Sequence, residues 1–253
     1  MRGYGEEGVV EKIRAAGGEV YAITSEPHSL ARNAAAEWAT GFEHIGDPHQ
    51  EISAECRERG WLSLFTNDWG ASRFIGANGP GTWVSHPKGY FQPGVLALTR
   101  GGRVLYRWRC RPTRSNLGGA VARPLPGHVW SHVEAALAES GSTSDAPFDD
   151  NPQLDSPPAP WPIFVLLLLS NGWFLRPRPF DQRKDDPAQR RIRNAALRLS
   201  MFFALWIALF WMLPLWIGGL ALAAWVAMVA PAVREVNRLF QNIAPDEEPS
   251  PTP

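Results

Sequence analysis

The groups in this sequence that could do covalent chemistry are the thiols of Cys56 and Cys110. Cys110 stands between Arg109 and Arg111, and neighbouring positive charge favours the reactive thiolate form of a cysteine. Cys56 stands in a helical pattern. We take both as candidate catalytic residues, with an ordinary unreactive thiol as the alternative for each. Two cysteines without a short spacing exclude a disulfide scaffold and a CxxC zinc site.

Two histidines have the spacing of a metal-binding pair. His128 and His132 are four residues apart, so a helix would present both imidazoles on one face. No cysteine or carboxylate stands at a matching spacing, and the sequence therefore predicts no metal site and no cofactor.

Charge patterning offers one further candidate. Arginines alternate at Arg107, Arg109, Arg111 and Arg114, a strip that could bind an anion or anionic lipid headgroups or simply form a solvated strand face. The formal net charge of the chain is zero, which argues against a nucleic-acid partner. The glycine-rich stretch 76–83 lacks the Lys-Ser/Thr pair of a phosphate-binding loop and is interpreted as a flexible loop.

Helices and strands that would carry these residues alternate along residues 1–139. Apolar spacing and helix stop signals predict helices at 9–18, 29–39, 49–60 and 126–140, with Ser25 as the cap of the second. Runs of β-branched and aromatic residues predict strands at 19–24, 94–99 and 103–109, with a short extended piece at 42–48. The last two strands flank Arg100, Gly101 and Gly102 and predict a β-hairpin. We expect an α/β layer with helices on both faces.

The C-terminal part has a different composition. No charged residue occurs from Ser200 to Val233, and a single straight helix of that length would be about 50 Å long against a hydrocarbon core of about 30 Å. Pro214 near its middle favours two short spans, and basic residues at both ends favour the cytoplasmic side for both. The prediction is a transmembrane helical hairpin at 199–233, in contact with membrane lipid. A buried hairpin of a soluble protein is the alternative.

Four further segments complete the predicted organisation of the chain. Residues 140–160 are rich in Pro, Ser and Asp and are predicted to be a disordered linker. The apolar segment 161–175 is predicted to be interfacial or re-entrant, with a third span as the alternative. A basic loop at 176–198 and a polar tail at 234–253 complete the chain. The first twenty residues have no signal-peptide core, so we expect a membrane protein with a cytoplasmic N-terminal domain at 1–139.

Three stretches of residues 8–139 resemble one known family. GGEVYAITSEP, FEHIGDPHQEISAECRERG and FQPGVLALTRGGRVLYRWR are similar, in this order, to the second half of the thioredoxin fold in peroxiredoxin-like proteins of the alkyl hydroperoxide reductase and thiol-specific antioxidant family. The resemblance implies thiol-dependent reduction of peroxides or disulfides and a thiol or disulfide partner protein. It also implies that Pro93 is a cis-proline, with Gln92, Pro93 and Gly94 forming a partner-binding edge.

The resemblance also implies a missing part. Family members carry a reactive cysteine at the end of a first strand, where a helix N-terminus lowers the thiol pKa, but nothing before Val9 supplies that strand or cysteine. Either the start is misassigned and the catalytic half lies upstream, or the domain is a truncated, redox-silent copy. For the sequence as it stands, the predicted fold is a truncated thioredoxin-like α/β domain, whose sheet lacks a central strand, followed by membrane helices. The predicted function is a membrane-tethered peroxiredoxin-like protein without the catalytic cysteine. The alternative is a redox-inactive thioredoxin-like binding module anchored to the membrane.

Overall fold

Short helices and strands alternate in the N-terminal part, and two long helices follow near the C-terminus. A computed structural model of the chain describes residues 2–67, 88–113, 123–139, 143–155, 161–162, 165, 188–239, 243–244 and 246–249. The helices are α1 (Arg2–Glu6), α2 (Val9–Ala15), α3 (His28–Trp38), α4 (Glu51–Glu58), α5 (Pro126–Ala138), α6 (Ala188–Met212) and α7 (Leu215–Leu239). The strands are β1 (Tyr21–Thr24), β2 (Glu43–Gly46), β3 (Thr66–Asn67), β4 (Tyr90–Phe91), β5 (Gly94–Leu98) and β6 (Val104–Arg109).

The strands form three separate pairs among the described residues. β1 and β2 are parallel, β3 and β4 are antiparallel, and β5 and β6 form an antiparallel hairpin. The predicted truncated thioredoxin-like fold, an α/β layer with helices on both faces, is therefore wrong, since the residues that the structure describes form only two-stranded sheets. The predicted individual helices and strands of the N-terminal part are confirmed to within a few residues.

Local chemistry explains where several of these elements begin and turn. The carboxylate of Asp47 accepts hydrogen bonds from the backbone N–H groups of Glu51, Ile52 and Ser53, and so satisfies the free amides at the start of α4. Gly102 has a φ of +86° in the β5–β6 turn, a conformation that glycine adopts without a side-chain penalty. The predicted cap of α3 is wrong, because the helix begins after Pro27.

The larger apolar cluster lies between β6 and α5. The buried side chains there are Leu105, Tyr106, Trp108, Cys110, Val129 and Val133. Val129 and Val133 are one helical turn apart and form the buried face of α5, as amphipathic spacing requires. Arg107 and Arg109 alternate with Tyr106 and Trp108 along β6, and both guanidinium groups lie over the ring of Phe148.

Part of the predicted linker lies against this hairpin. The backbone N–H of Ala146 donates to the carbonyl of Val104 at 2.9 Å, and that of Asp149 donates to the carbonyl of Arg107 at 2.9 Å. Phe148 forms a parallel bridge with Arg107. Residues 145–149 thus run alongside β6 as an extended segment, and neighbouring side chains of that segment point to opposite sides.

The predicted transmembrane hairpin is not supported. Helices α6 and α7 are separated at Leu213 and Pro214, but among the residues that the structure describes no helix is both long and apolar enough to cross a membrane. The uncharged part of α6 that starts at Ser200 is only about 20 Å long. Pro231 lies inside α7, and a charged end follows it. The predicted C-terminal membrane segments and the membrane localisation are therefore corrected.

The other predicted C-terminal segments fall largely outside the described residues. This applies to the interfacial segment 161–175, of which only 161–162 and 165 are described, and to most of the basic loop 176–198. The glycine-rich stretch 76–83 and Arg114 also lie outside the described residues.

Helices α6 and α7 carry exposed large apolar side chains, most of all around their junction at Trp211, Met212 and Leu215.

Candidate functional site

The two predicted catalytic thiols are shielded. Cys110 is 2% exposed at the end of β6, and its S–H donates to the carbonyl oxygen of Arg111 at 3.7 Å. Cys56 is half-buried on α4, where burial and the nearby carboxylates of Asp47 and Glu55 raise the thiol pKa. A raised pKa lowers the thiolate fraction at neutral pH, so this environment disfavours nucleophilic chemistry at Cys56.

The two arginines beside Cys110 have partners in the C-terminal part of the chain. The Arg109 guanidinium pairs with Glu248, and the Arg111 guanidinium donates to the carbonyl oxygens of Ala244 and Glu247. Both side chains are thus engaged by the C-terminal tail. Cys110 is buried and Cys56 is only partly exposed, so neither predicted thiol lies on an open surface.

The predicted partner-binding edge at Gln92, Pro93 and Gly94 is already paired. The backbone N–H of Gln92 donates to the carbonyl of Phe65 at 2.8 Å, and the carbonyl of Pro93 accepts from the Cys110 N–H at 2.7 Å. Gly94 belongs to the β5–β6 ladder opposite Arg109. The described residues contain no cis peptide bond, so the implied cis-proline at Pro93 is wrong.

Three potential metal ligands converge beside α5. His128 and His132 lie on neighbouring turns of the helix with ring centroids 4.3 Å apart, and Asp149 approaches from the extended segment along β6. One ligand atom from each of the three residues lies within 4.8 Å of the others. The Nε2 atom of His128 is 2.8 Å from Oδ2 of Asp149. Two imidazoles and a carboxylate form a common first coordination shell for Zn²⁺ and for other divalent transition metals.

Hydrogen bonds around the three residues orient them. The hydroxyl of Tyr106 donates to Oδ2 of Asp149 at 2.8 Å, and the Asn151 backbone N–H donates to Oδ1 at 3.1 Å. The Nδ1 atom of His132 is 3.0 Å from the carbonyl oxygen of His128, an acceptor that favours the proton on Nδ1 and leaves Nε2 free to bind an ion. Outer hydrogen bonds of this kind fix ligand tautomers and orientations in metal sites.

Asp149 is held in its charged form. Its side chain is 14% exposed, and this burial works against ionisation. Hydrogen bonds from His128, from Tyr106 and from the Asn151 backbone outweigh the burial and hold the pKa of Asp149 below its ordinary value. The same carboxylate contributes to raising the pKa of Tyr106, after burial, so Tyr106 stays a neutral donor. The site therefore carries a negative charge suited to a cation.

Sequence reasoning finds the histidine pair but misses Asp149. A linear spacing rule has no reason to join positions 128 and 149, because the carboxylate reaches the pair only through the path of residues 145–149 along β6. The sequence contains one signal for this contact, the adjacent pair Phe148-Asp149. In an extended segment neighbouring side chains point to opposite sides, so the aromatic ring can pack on one side while the carboxylate faces the other.

We compared the chain with protein-family models, with curated proteins and with solved structures, and found no match in any of the three. The resemblance to peroxiredoxin-like proteins therefore stays a prediction.

Proposed function

We propose that this protein binds a divalent transition-metal ion through His128, His132 and Asp149. The observation that carries the proposal is the convergence of three ligand atoms within 4.8 Å from two different parts of the chain. Ligand atoms about 2.0–2.2 Å from a tetrahedral zinc ion lie about 3.3–3.6 Å apart. The 2.8 Å separation of His128 Nε2 and Asp149 Oδ2 must open by about half an ångström to reach that value, and a separation as wide as 4.8 Å must close by about 1.2–1.5 Å.

Zinc is the expected ion because two imidazoles and one carboxylate suit its borderline character. Three protein ligands leave one coordination position open in a tetrahedral site. The exposed side of the cluster at His132 faces solvent, so water could occupy that position. An open position of this kind is typical of sites where a zinc ion activates water or polarises a bound carbonyl.

Binding has a protonation cost that follows from the geometry. An ion bound to Nε2 of His128 takes the place of the proton that this atom shares with Asp149, so the neutral imidazole must carry its proton on Nδ1. Only neutral imidazoles and an ionised carboxylate are ligands, so protons compete with the ion for all three residues. We therefore expect zinc affinity to fall as the pH is lowered. Tyr106 stays outside the coordination shell and orients Asp149, so Tyr106→Phe should weaken binding by roughly 10-fold to 100-fold.

Zinc titration by isothermal calorimetry, after treatment with a chelator, tests the proposal. The informative variant is His132→Ala, because it removes one ligand and leaves the hydrogen bonds among Tyr106, His128 and Asp149 in place. We expect one Zn²⁺ per chain for the wild type and a loss in His132→Ala larger than that caused by Tyr106→Phe. His49→Ala is the matched control, since His49 is also exposed.

The same titration separates a metal site from a purely structural network. If the three side chains only pin residues 145–149 to the hairpin, the wild type takes up no stoichiometric zinc, or His132→Ala binds it as the wild type does. Either result refutes the proposal. Substituting Co²⁺ gives a second measurement, because the visible absorption of bound cobalt reports its coordination number and geometry.

As a second candidate we propose, from the resemblance, a thioredoxin-like binding module without peroxidase activity. The shielding of Cys56 and Cys110 favours the redox-inactive alternative over thiol catalysis. A peroxide-consumption assay is the test. Activity in the wild type that is abolished in Cys110→Ser or Cys56→Ser would restore the catalytic interpretation.

A further inference from the structure

The arginine side of β6, opposite α5, holds a buried cation. The side chain of Arg109 is only 3% exposed. Its guanidinium carbon lies 4.4 Å from the ring centroid of Phe148 and 5.6 Å from that of Phe65, and one of its nitrogens donates to Ser63 Oγ at 2.5 Å. Aromatic faces and a hydroxyl stabilise such a cation but do not neutralise it. A desolvated arginine in this setting requires an anion.

The anion comes from the C-terminal tail. The carboxylate of Glu248 binds both terminal nitrogens of the Arg109 guanidinium in a bidentate pair, and Ser63 Oγ donates to the same carboxylate at 3.3 Å. The hydrogen bond from Arg109 is the largest of the effects that lower the pKa of Glu248. Bidentate pairing of this kind is the strongest geometry between arginine and a carboxylate.

Backbone contacts of the tail extend the recognition beyond one side chain. The N–H of Ile243 donates to the carbonyl of Pro112 at 2.8 Å. A nitrogen of Arg111 donates to the carbonyl oxygens of Ala244 and Glu247 at 3.0 and 3.3 Å. The surface thus binds main-chain carbonyls together with a carboxylate. These are the groups that a short acidic peptide presents and that a free phosphate ion lacks.

The two partners of the ion pair differ in how they are held. Arg109 is fixed inside the fold between two aromatic rings, whereas Glu248 is 66% exposed on a segment near the end of the chain. Arg109 therefore stays in place when the ion pair breaks, whereas Glu248 can dissociate and be replaced by another carboxylate. An intramolecular ligand also has a high effective concentration, so it blocks an external competitor until it is weakened.

We propose that the surface formed by Ser63, Phe65, Arg109, Arg111 and Phe148 is a docking site for an acidic peptide segment of a partner protein. The tail around Glu248 occupies this site in the isolated chain. The site is distinct from the histidine cluster, because Phe148 and Asp149 point to opposite sides of the segment along β6. This proposal does not depend on metal binding.

Competition between the tail and an added peptide tests the proposal in the full-length protein. The probe is a fluorescein-labelled peptide with the tail sequence Ile243–Pro249, and binding is measured by fluorescence anisotropy. Glu248→Gln removes the charge that holds the tail in place, so this variant should bind the peptide at least about 10-fold more tightly than the wild type does. Glu247→Gln is the matched control, because it removes the same charge from the neighbouring exposed side chain.

A second experiment tests the docking site without changing Arg109. Within the Glu248→Gln background, a peptide in which glutamine replaces its own second glutamate should bind at least about 10-fold more weakly than the original peptide. Added Ser63→Ala should also weaken binding. The proposal is overturned if Glu248→Gln and Glu247→Gln bind the peptide equally, or if the glutamine peptide binds as tightly as the original.

Discussion

Replacing Asp149 by asparagine should measure how strongly the extended segment is held to the hairpin. The substitution keeps the shape of the side chain and removes its negative charge. Asp149 accepts from the Tyr106 hydroxyl at 2.8 Å and from the His128 imidazole at 2.8 Å. Both bonds, which end on Oδ2, therefore change from a charged acceptor to a neutral one, and the amide nitrogen that replaces Oδ1 cannot accept from the Asn151 backbone N–H.

The expected loss follows from those two bonds. A hydrogen bond to a charged group contributes about 1.5–3 kcal/mol to stability and a neutral one about 0.5–1.5 kcal/mol. The side chains of His128 and Asp149 are 11% and 14% exposed, so solvent screens the pair only weakly. Losing about 1 kcal/mol at each of these two bonds gives a predicted loss of at least about 2 kcal/mol in the free energy of unfolding for Asp149→Asn at pH 7.

The pH dependence has a definite sign. The folded state holds the pKa of Asp149 below its ordinary value, so the unfolded chain takes up a proton first as the pH falls. The contribution is complete well above about pH 3.9, the ordinary value for aspartate, and is lost as the pH falls through the lower folded value. The difference between wild type and Asp149→Asn should therefore shrink in strongly acidic solution.

Urea unfolding followed by tryptophan fluorescence, in the presence of a chelator, gives the required free energies. The chelator removes any stabilisation by a bound metal ion. Asp150→Asn is the control, because it makes the same charge change at the adjacent exposed residue. The reasoning about the buried network fails if Asp149→Asn and Asp150→Asn differ by less than about 0.5 kcal/mol at pH 7.

Two further substitutions test other parts of the fold. His44 is 1% exposed, and burial lowers its pKa, so the unfolded chain binds a proton at this residue before the folded protein does. The wild type should therefore lose thermal stability as the pH falls below about 6.5. His44→Phe should show a smaller loss in melting temperature between pH 7.5 and 5. An equal loss of melting temperature in wild type and His44→Phe over this pH range would contradict the prediction. Gly46→Ala should lower the free energy of unfolding by about 1–3 kcal/mol, because the added carbon would lie 2.3 Å from the backbone nitrogen of His28. Gly219→Ala is the control, since its added carbon meets no atom within 4 Å and the substitution should be neutral or stabilising. Urea midpoints compare the two, and a harmless Gly46→Ala would refute the close approach.

Several elements were predictable because their signals are local. The hairpin of β5 and β6 follows from two β-branched and aromatic runs around Gly101 and Gly102, and α5 begins at Pro126, where proline is well tolerated. The helix spacing of His128 and His132 likewise placed both imidazoles on one face. Residues a few positions apart determine each of these features.

Features that depend on distant parts of the chain were missed or predicted wrongly. The uncharged run from Ser200 to Val233 predicted a transmembrane hairpin, but among the described residues no helix has the length and apolarity to cross a membrane. The solvated strand face considered for the arginine strip is, at Arg109, a buried cation paired with a residue far along the chain. Composition alone does not reveal which segment returns to cover a strand.

The sequence by itself determined most of the helices and strands of the N-terminal part, the histidine spacing and the alternation of arginines along β6, because each follows from backbone preferences or from a period of two or four residues. It did not predict α1, β3 or β4. Only the tertiary structure decided that Asp149 joins the histidines, that Glu248 neutralises Arg109 and that Cys110 is enclosed. Those contacts join residues at least about 17 positions apart, and free energy from burial and charge pairing, rather than local backbone preference, determines which distant segments meet.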